Sequence, residues 1–405
     1  MSSLSILSIG KKWVCLSFGF IFLLPLFGQG TLSSDTYFRQ NLEAFDQVRQ
    51  EYAPANFRPS WLEEIDIRTE TDDFAPDRQR YLLRVSPSTG KIRKAQSELH
   101  RQYRAGATLE WEEERADWIV RAYTEWLKLY DRSRALDGLR QLLVVLLDQQ
   151  LVIQKLAAAR EISIKEVLEI QQDIQEIRID IFSLEQELNA LRPSGGDPDF
   201  TDLIPLNAIR QSILPPTTGA YTLRYPELEQ EMRVNTAELQ LEKAEGGRIF
   251  DFLQMEYNGP HDDLWREKVR LGLGLNIPLA SDRKLKMEEL RIEQEAIKAQ
   301  TALEKTLDNR SLEQQRSALE GLFATLDYAT DLLEAGNRQS ASIVQKSTPE
   351  SFSTPLRQLY QQEMEIKNAL QLQAIEQDIY EEYIDLLAAR QILFQVPFVN
   401  YLKDR

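Results

Sequence analysis

Cysteine is almost missing from this chain. The 405 residues include one, Cys15, inside an apolar run near the start. If that run is removed, no thiol remains, which excludes disulfides, thiolate metal sites and thiol catalysis. Cys15 follows Lys12-Trp13-Val14, which is not the setting of a lipid-attachment cysteine. Histidine is nearly as scarce: His100 and His261 are the only two, and both sit among charged residues, where they read as solvated. Positive charge is in deficit, with 48 Lys and Arg against 64 Asp and Glu, a net charge of −16 and a pI near 4.9. Such a chain repels nucleic acid. It has no Gly-rich phosphate loop, no Ser/His/Asp arrangement and no histidine cluster. Its acidic groups, Glu112-Glu113-Glu114, Asp262-Asp263 and Glu381-Glu382, read as solvated faces and turns rather than as acid/base pairs or metal ligands. The expectation is a protein with no catalytic residue, no cofactor and no metal.

What is present begins with an export signal. Lys11 and Lys12 precede 15 apolar residues, Trp13 to Phe27, and Gly28-Gln29-Gly30 offers small residues for cleavage. A spanning helix needs about 20 apolar residues, so removal of residues 1–30 is the preferred reading over a retained anchor.

Two landmarks then recur at one spacing. Val85-Ser86-Pro87 leads into a charged helical segment, and so does Asn276-Ile277-Pro278; the prolines are 191 positions apart. Ser163 and Thr354 each open a later helix and are also 191 apart. This implies an internal duplication. The units are 31–192 and 225–394, with a linker at 193–224 and a tail at 395–405. Each unit reads as a helix, two strands (61–87 and 248–279) and a helical hairpin (91–192 and 281–394).

The helices carry a coiled-coil pattern. From Val167 the apolar positions are Ile170, Ile174, Ile177, Ile181, Leu184, Leu188 and Leu191, alternating steps of 3 and 4. Leu139, Leu143, Leu146, Gln150, Ile153 and Ala157 form the facing seam, and Leu319, Leu322, Leu326, Ala329 and Leu333 repeat the rhythm. Ser163 with Glu166 makes a capping box. Thr354 followed by Pro355 makes a helix start. The second turn is therefore expected near 347–354, with Gly336-Asn337 weakening or bending the incoming helix. The helical pattern from Lys91 to Ala157 spans about 100 Å at 1.5 Å per residue, and such lengths imply an elongated body without a conventional globular core.

The strands alternate. Val269, Leu271, Leu273, Leu275 and Ile277 share one face, and Lys268, Arg270 and Asn276 with two glycines share the other. Leu253, Met255 and Tyr257 alternate with Gln254 and Glu256; Tyr81, Leu83 and Val85 with Arg80 and Arg84; Ile65 and Ile67 with Glu64, Asp66 and Arg68. Segments of about 10 residues with this alternation suit a membrane barrel, apolar side to lipid and polar side to the lumen. Trp61, Phe74, Tyr257 and Trp265 stand where interfacial aromatics would. Trp111, Trp118 and Trp126 recur at helical spacing and read as packing residues. Four strands cannot close a barrel, because an open edge in lipid leaves backbone groups unpaired. The chain must oligomerise, with 8 strands in a dimer or 12 in a trimer.

In these segments the chain resembles the TolC-type outer-membrane efflux proteins. The resemblance rests on Trp265 to Ala280, ending Gly272-Leu273-Gly274-Leu275-Asn276-Ile277-Pro278-Leu279, on Tyr225-Pro226-Glu227-Leu228, and on Ile162-Ser163 and Ser353-Thr354 at the helix turns. It covers about 36–394. It implies a homotrimer with a 12-stranded barrel in outer-membrane lipid and a helical tunnel reaching into the periplasm. The tips Ala159, Arg160, Glu161, Ile162, Ser163, Pro349, Ser353 and Thr354 would meet a periplasmic adaptor (membrane fusion) protein and, through it, an inner-membrane transporter. The implied function is passive conduction of small molecules or exported proteins in an efflux or type I secretion-like system, without enzymatic activity. The alternatives are a periplasmic coiled-coil adaptor or scaffold without a barrel, and a secreted enzyme. The first tip lacks the glycine usual in the family, and the first-unit strands are unusually charged.

Overall fold

The computed structural model describes residues 31–51, 57–71, 79–158, 163–193, 196–213, 225–258, 268–275, 281–346 and 354–404. The expected signal sequence, Phe74, His261, the Asp262-Asp263 loop and Trp265 lie outside the described residues.

The element order is β1 (Thr31–Ser33), α1 (Ser34–Glu51), β2 (Leu62–Thr71), β3 (Gln79–Pro87), α2 (Gly90–Ala158), α3 (Ile164–Leu191), β4 (Asp197–Asp199), α4 (Leu206–Ile213), α5 (Pro226–Gly246), β5 (Phe250–Asn258), β6 (Val269–Leu275), α6 (Ser281–Lys346) and α7 (Thr354–Ala389). Helix, two strands, long helix and return helix occur twice, and α2 and α6 begin 191 residues apart, at Gly90 and Ser281.

The 69 residues of α2 make one helix, about 100 Å long. Its partners change along its length: α5 lies against its first part, and α3 and α7 flank its second. Both interior glycines mark crossings. A Cβ on Gly106 would stand 3.8 Å from Gln230 of α5, and one on Gly138 would stand 2.6 Å from Leu370 of α7. α3 is simpler. The eight positions of the 3-4 pattern, Val167 to Leu191, are all buried or half-buried, and Glu185 is the one further residue of the helix that is not exposed. Ser163 caps it, accepting the Glu166 amide at 3.4 Å, and its hydroxyl lies 3.3 Å from the Glu166 carboxylate. On α2 the expected positions Leu139, Leu143, Leu146 and Ile153 lie in one cluster with Val167, Ile170, Ile174 and Ile177 of α3, and a second stripe is buried beside them. Leu142, Leu146, Gln149 and Ile153 are buried, and Gln150 is not. A helix held between two neighbours buries two stripes, so one heptad reading cannot describe it. Gln149 is fully buried and donates to Glu363 of α7 at 2.8 Å. α6 runs through Gly336-Asn337 without interruption.

The expectation of a body without a conventional core needs correction. Midway along the helices, one apolar cluster draws on seven segments: Leu32, Phe38, Tyr123, Trp126, Ile209, Leu319, Ile379, Tyr383 and Leu402 are among its members. The linker and the tail build it. β4 pairs in parallel with β1, and α4 inserts the fully buried Ile209. The Ile204 amide donates to the Leu402 carbonyl at 2.7 Å, and the Asp404 amide to Asp202 at 2.9 Å. Tyr123 donates its hydroxyl to the Val399 carbonyl at 3.3 Å and accepts the Tyr401 amide at 3.1 Å. Asn400 donates to Ser34 at 2.9 Å, and Lys403 pairs with Asp35 at 2.8 Å. The tail is thus tied to the start of α1. Of the three tryptophans at helical spacing, Trp126 is fully buried, Trp111 meets the Phe45 ring edge-on, and Trp118 donates its indole N–H to the Asn41 carbonyl at 3.2 Å.

Candidate functional site

The two hairpins, separated by more than 160 residues, form one antiparallel sheet ordered β2-β3-β5-β6. The join is β3 with β5, where Val85 faces Leu253, Leu83 faces Met255 and Tyr81 faces Tyr257. The outer pairs continue these rows. Ile65 and Ile67 face Val85 and Leu83 on one side, and Leu273, Leu271 and Val269 face Leu253, Met255 and Tyr257 on the other. Strand period 2 keeps all of them on one surface. That surface is uncovered: Ile67 is 70% exposed and Leu271 75% exposed. Leu275 lies beyond a shift in the β5–β6 register and is exposed as well.

The opposite face is polar and internally paired. Arg80 bridges to Glu256 at 3.2 Å, Arg68 to Asp66 at 2.8 Å and Arg84 to Asp251 at 3.5 Å. Arg270 stands opposite Glu256 in the ladder. The Arg84 guanidinium also lies 3.4 Å from the centre of the Phe252 ring, a cation–π contact. Phe252 in turn covers Gly274, where a Cβ would come 2.3 Å from the ring. A cross-strand aromatic over a glycine restores the packing that the glycine gives up. Lys268, expected on this face, stands one residue before β6, and Asn276 and Ile277 lie outside the described residues.

At the helix end of the sheet both β2 and β5 carry an extra residue, Glu63 and Asp251, where the ladder shifts. Such bulges bend a strand and raise its twist. Arg248, just past α5, holds both. Its guanidinium pairs with the Glu63 carboxylate, donates to the Asp251 carbonyl at 2.6 Å and, through Nε, to the Phe250 carbonyl at 2.9 Å. Its side chain is only 13% exposed. Sequence reading missed Arg248; only the rule that buried cations need partners points to it. At this helix end Trp61 is exposed, and its carbonyl accepts the Ser88 amide at 2.8 Å.

β2 and β6 are both edge strands within the chain, each with one unpaired row of backbone groups. Of the expected tip residues, Ser163 and Thr354 open α3 and α7, and Ala159, Arg160, Glu161, Ile162, Pro349 and Ser353 lie outside the described residues. Two sites elsewhere depart from the solvated reading. His100 stacks on Phe57, ring centres 4.8 Å apart. Glu113 of α2 has its pKa pushed up to about 7, by burial first and then by the Glu227 carboxylate that shares a hydrogen bond with it. Among the described residues no group of three His, Cys, Asp or Glu side chains is placed to hold a metal.

No protein-family model matches the sequence, and no curated protein matches it. Solved structures do. CusC, studied for the conformational changes that accompany folding and transmembrane channel formation, superposes with a TM-score of 0.60 at 12% identity, over 88% of this chain and 87% of its own. The outer-membrane channel OprN gives 0.53 at 12% identity, over 88% and 85%. The outer membrane protein VceC from the bacterial pathogen Vibrio cholerae gives 0.52 at 13% identity, over 88% and 91%. At these identities the likeness is one of fold, and it extends over nearly the whole chain.

Proposed function

We propose, from a chain that has the fold of TolC-type outer-membrane channels, that this protein is itself such a channel: a homotrimer that passively conducts solutes or exported proteins from the periplasm to the exterior. The observation that carries this is the sheet. Four strands from two repeats align one continuous apolar face and stay open at both edges, and β3 and β6 are each followed in the chain by a helix about 100 Å long. A single exposed face of this kind is unstable in water and suited to hydrocarbon. Open edges in lipid must be paired, and β6 of one copy against β2 of the next closes a 12-stranded barrel in a trimer.

In that barrel Val269, Leu271, Leu273 and Leu275 face lipid, and Arg270, Arg80, Arg84 and Glu256 line the lumen. No bond is made or broken. The energy for transport comes from an inner-membrane transporter, reached through a periplasmic adaptor at the helix tips around Ser163 and Thr354. Aspartate in place of Ile162 and Ser353 is expected to impair export and leave assembly intact, because apolar contact at the tips is lost; normal export at normal expression would refute that assignment.

The deciding experiment is single-channel recording in a planar bilayer, with the oligomeric mass of the detergent-purified protein measured alongside. Discrete current steps from a trimer support the proposal, and a silent trimer that nonetheless inserts indicates a duct closed at its tips. A species soluble without detergent and without current refutes it.

A further inference from the structure

Where α2 leaves β3 and α5 approaches β5, the two helices leave a groove of about 760 Å³ between them. Four cations line it, Lys91 and Lys94 from α2 and Arg233 and Lys243 from α5, against one carboxylate, Glu98. Glu98 is already engaged, accepting from Arg101 at 2.8 Å and Gln102 at 2.6 Å. Among the described residues Arg233 has one ion pair, with Glu229 at 3.7 Å and in solvent. Among the described residues no ion pair engages Lys91, Lys94 or Lys243.

This concentration of positive charge is out of keeping with a chain of net charge −16. Its position sharpens the point. The first turn of α2 holds Lys91, Arg93 and Lys94 and no acid, at a helix end whose own partial charge is positive and favours anions. The second long helix also carries cations near its start, Arg283, Lys284 and Lys286, but there an acid, Asp282, stands in the first turn. Lys91 stands four residues past Pro87, about 6 Å along the helix axis from the end of β3. Exposed Trp61 is at the same level, where aromatic side chains mark a headgroup layer. The groove therefore opens at the depth where phosphates of the inner leaflet lie, if the sheet spans the outer membrane as proposed above.

We propose that this groove binds the phosphate of an anionic lipid, of the phosphatidylglycerol class, in the periplasmic leaflet. The bound phosphate neutralises cations that the helix end and one another disfavour, and it fixes the height of the neck in the bilayer.

The test is lipid retention by the purified full chain, read by native mass spectrometry after equilibration with phosphatidylglycerol or phosphatidylcholine, with bilayer conductance recorded on the same preparation. The expected result is selective retention of phosphatidylglycerol, weakened by salt and lowered about fivefold for each of K91Q and K94Q, with K94R retaining it. Equal retention of the two lipids overturns the inference, as does selectivity unchanged in K91Q/K94Q. Displacement of the lipid by inorganic phosphate alone also overturns it, assigning the groove to a soluble anion. The wild-type comparison needs no variant, so a variant that fails to assemble leaves the test standing. A conducting protein without lipid preference overturns this inference alone; a protein that never enters the bilayer overturns the membrane assignment with it.

Discussion

Gly274 is the most constrained glycine of the sheet. The ring of Phe252 occupies the space of its Cβ, whereas Gly272, two residues earlier, would place a Cβ 3.6 Å from Gln254, an ordinary contact. Gly274→Ala is therefore expected to lower stability by about 1–3 kcal/mol through overpacking, and Gly272→Ala to change it by under about 1 kcal/mol. Thermal melts of the two variants in detergent, run side by side, check this; equal melting temperatures would count against the Phe252 placement. Glu113 gives a second test at this scale. Its folded pKa, about 7, lies above the ordinary 4.5, so between these values the folded form holds more protons than the unfolded chain. The stability it contributes is complete below about pH 4.5 and is lost as pH rises to about 7. Glu113→Gln should leave the melting temperature unchanged at pH 4 and raise it at pH 8. A variant melting below the parent at pH 8 would contradict the burial assigned to Glu113.

The hinge between sheet and helices rests on Arg248. Three segments converge on it: the β2 bulge at Glu63, the β5 bulge at Asp251, and the end of α5. Arg248→Ala removes charge-assisted bonds at a mostly buried site and is expected to cost about 2 kcal/mol. Arg248→Lys should recover only part, because an ammonium cannot reproduce the planar fork. Denaturant unfolding of both variants would show it, and a full recovery by lysine would sink the role of the guanidinium in joining Glu63, Phe250 and Asp251. The elements differ in how openly the sequence declared them. α3 could be read residue by residue, because it packs on one side only and its heptad is undisturbed. The sheet was legible as alternation, and the register across β3 and β5 aligned the four apolar rows. The equatorial core was not legible. β1, β4, α4 and the residues after 395 are each too short to show a period, and their burial depends on partners from 366 positions away, as when Asn400 reaches Ser34. The burial of Gln149 has a related cause: it faces α7 on the second stripe of a helix that serves two neighbours, and the seam toward α3 does not include it. Arg248 escaped notice because a lone arginine after a helix carries no signal until its carboxylates are placed around it.

For the molecule as a whole, the two apolar rows left on the helices matter as much as the sheet. Leu285, Ile292, Leu303 and Leu307 on α6, with Ile164, Leu168, Ile179 and Phe182 on α3, are exposed in the single chain. Burying a side chain of this size contributes about 1.5–3 kcal/mol, so the oligomer proposed above gains on the helices as well as at the strand edges. Diluting the detergent-purified protein should accordingly lower its melting temperature, since folding and association are then one equilibrium; a melting temperature independent of concentration would mean that each chain is stable alone.

The open edges of β2 and β6 also carry a genetic consequence. If every chain must complete the sheet of its neighbours, one defective copy spoils the ring it joins. A cell making equal amounts of wild-type and Gly274→Val chains, mixing freely into rings of three, would keep about one in eight rings free of the variant. An allele whose product still joins the ring would thus act dominantly, and transport in such a merodiploid would fall far below half.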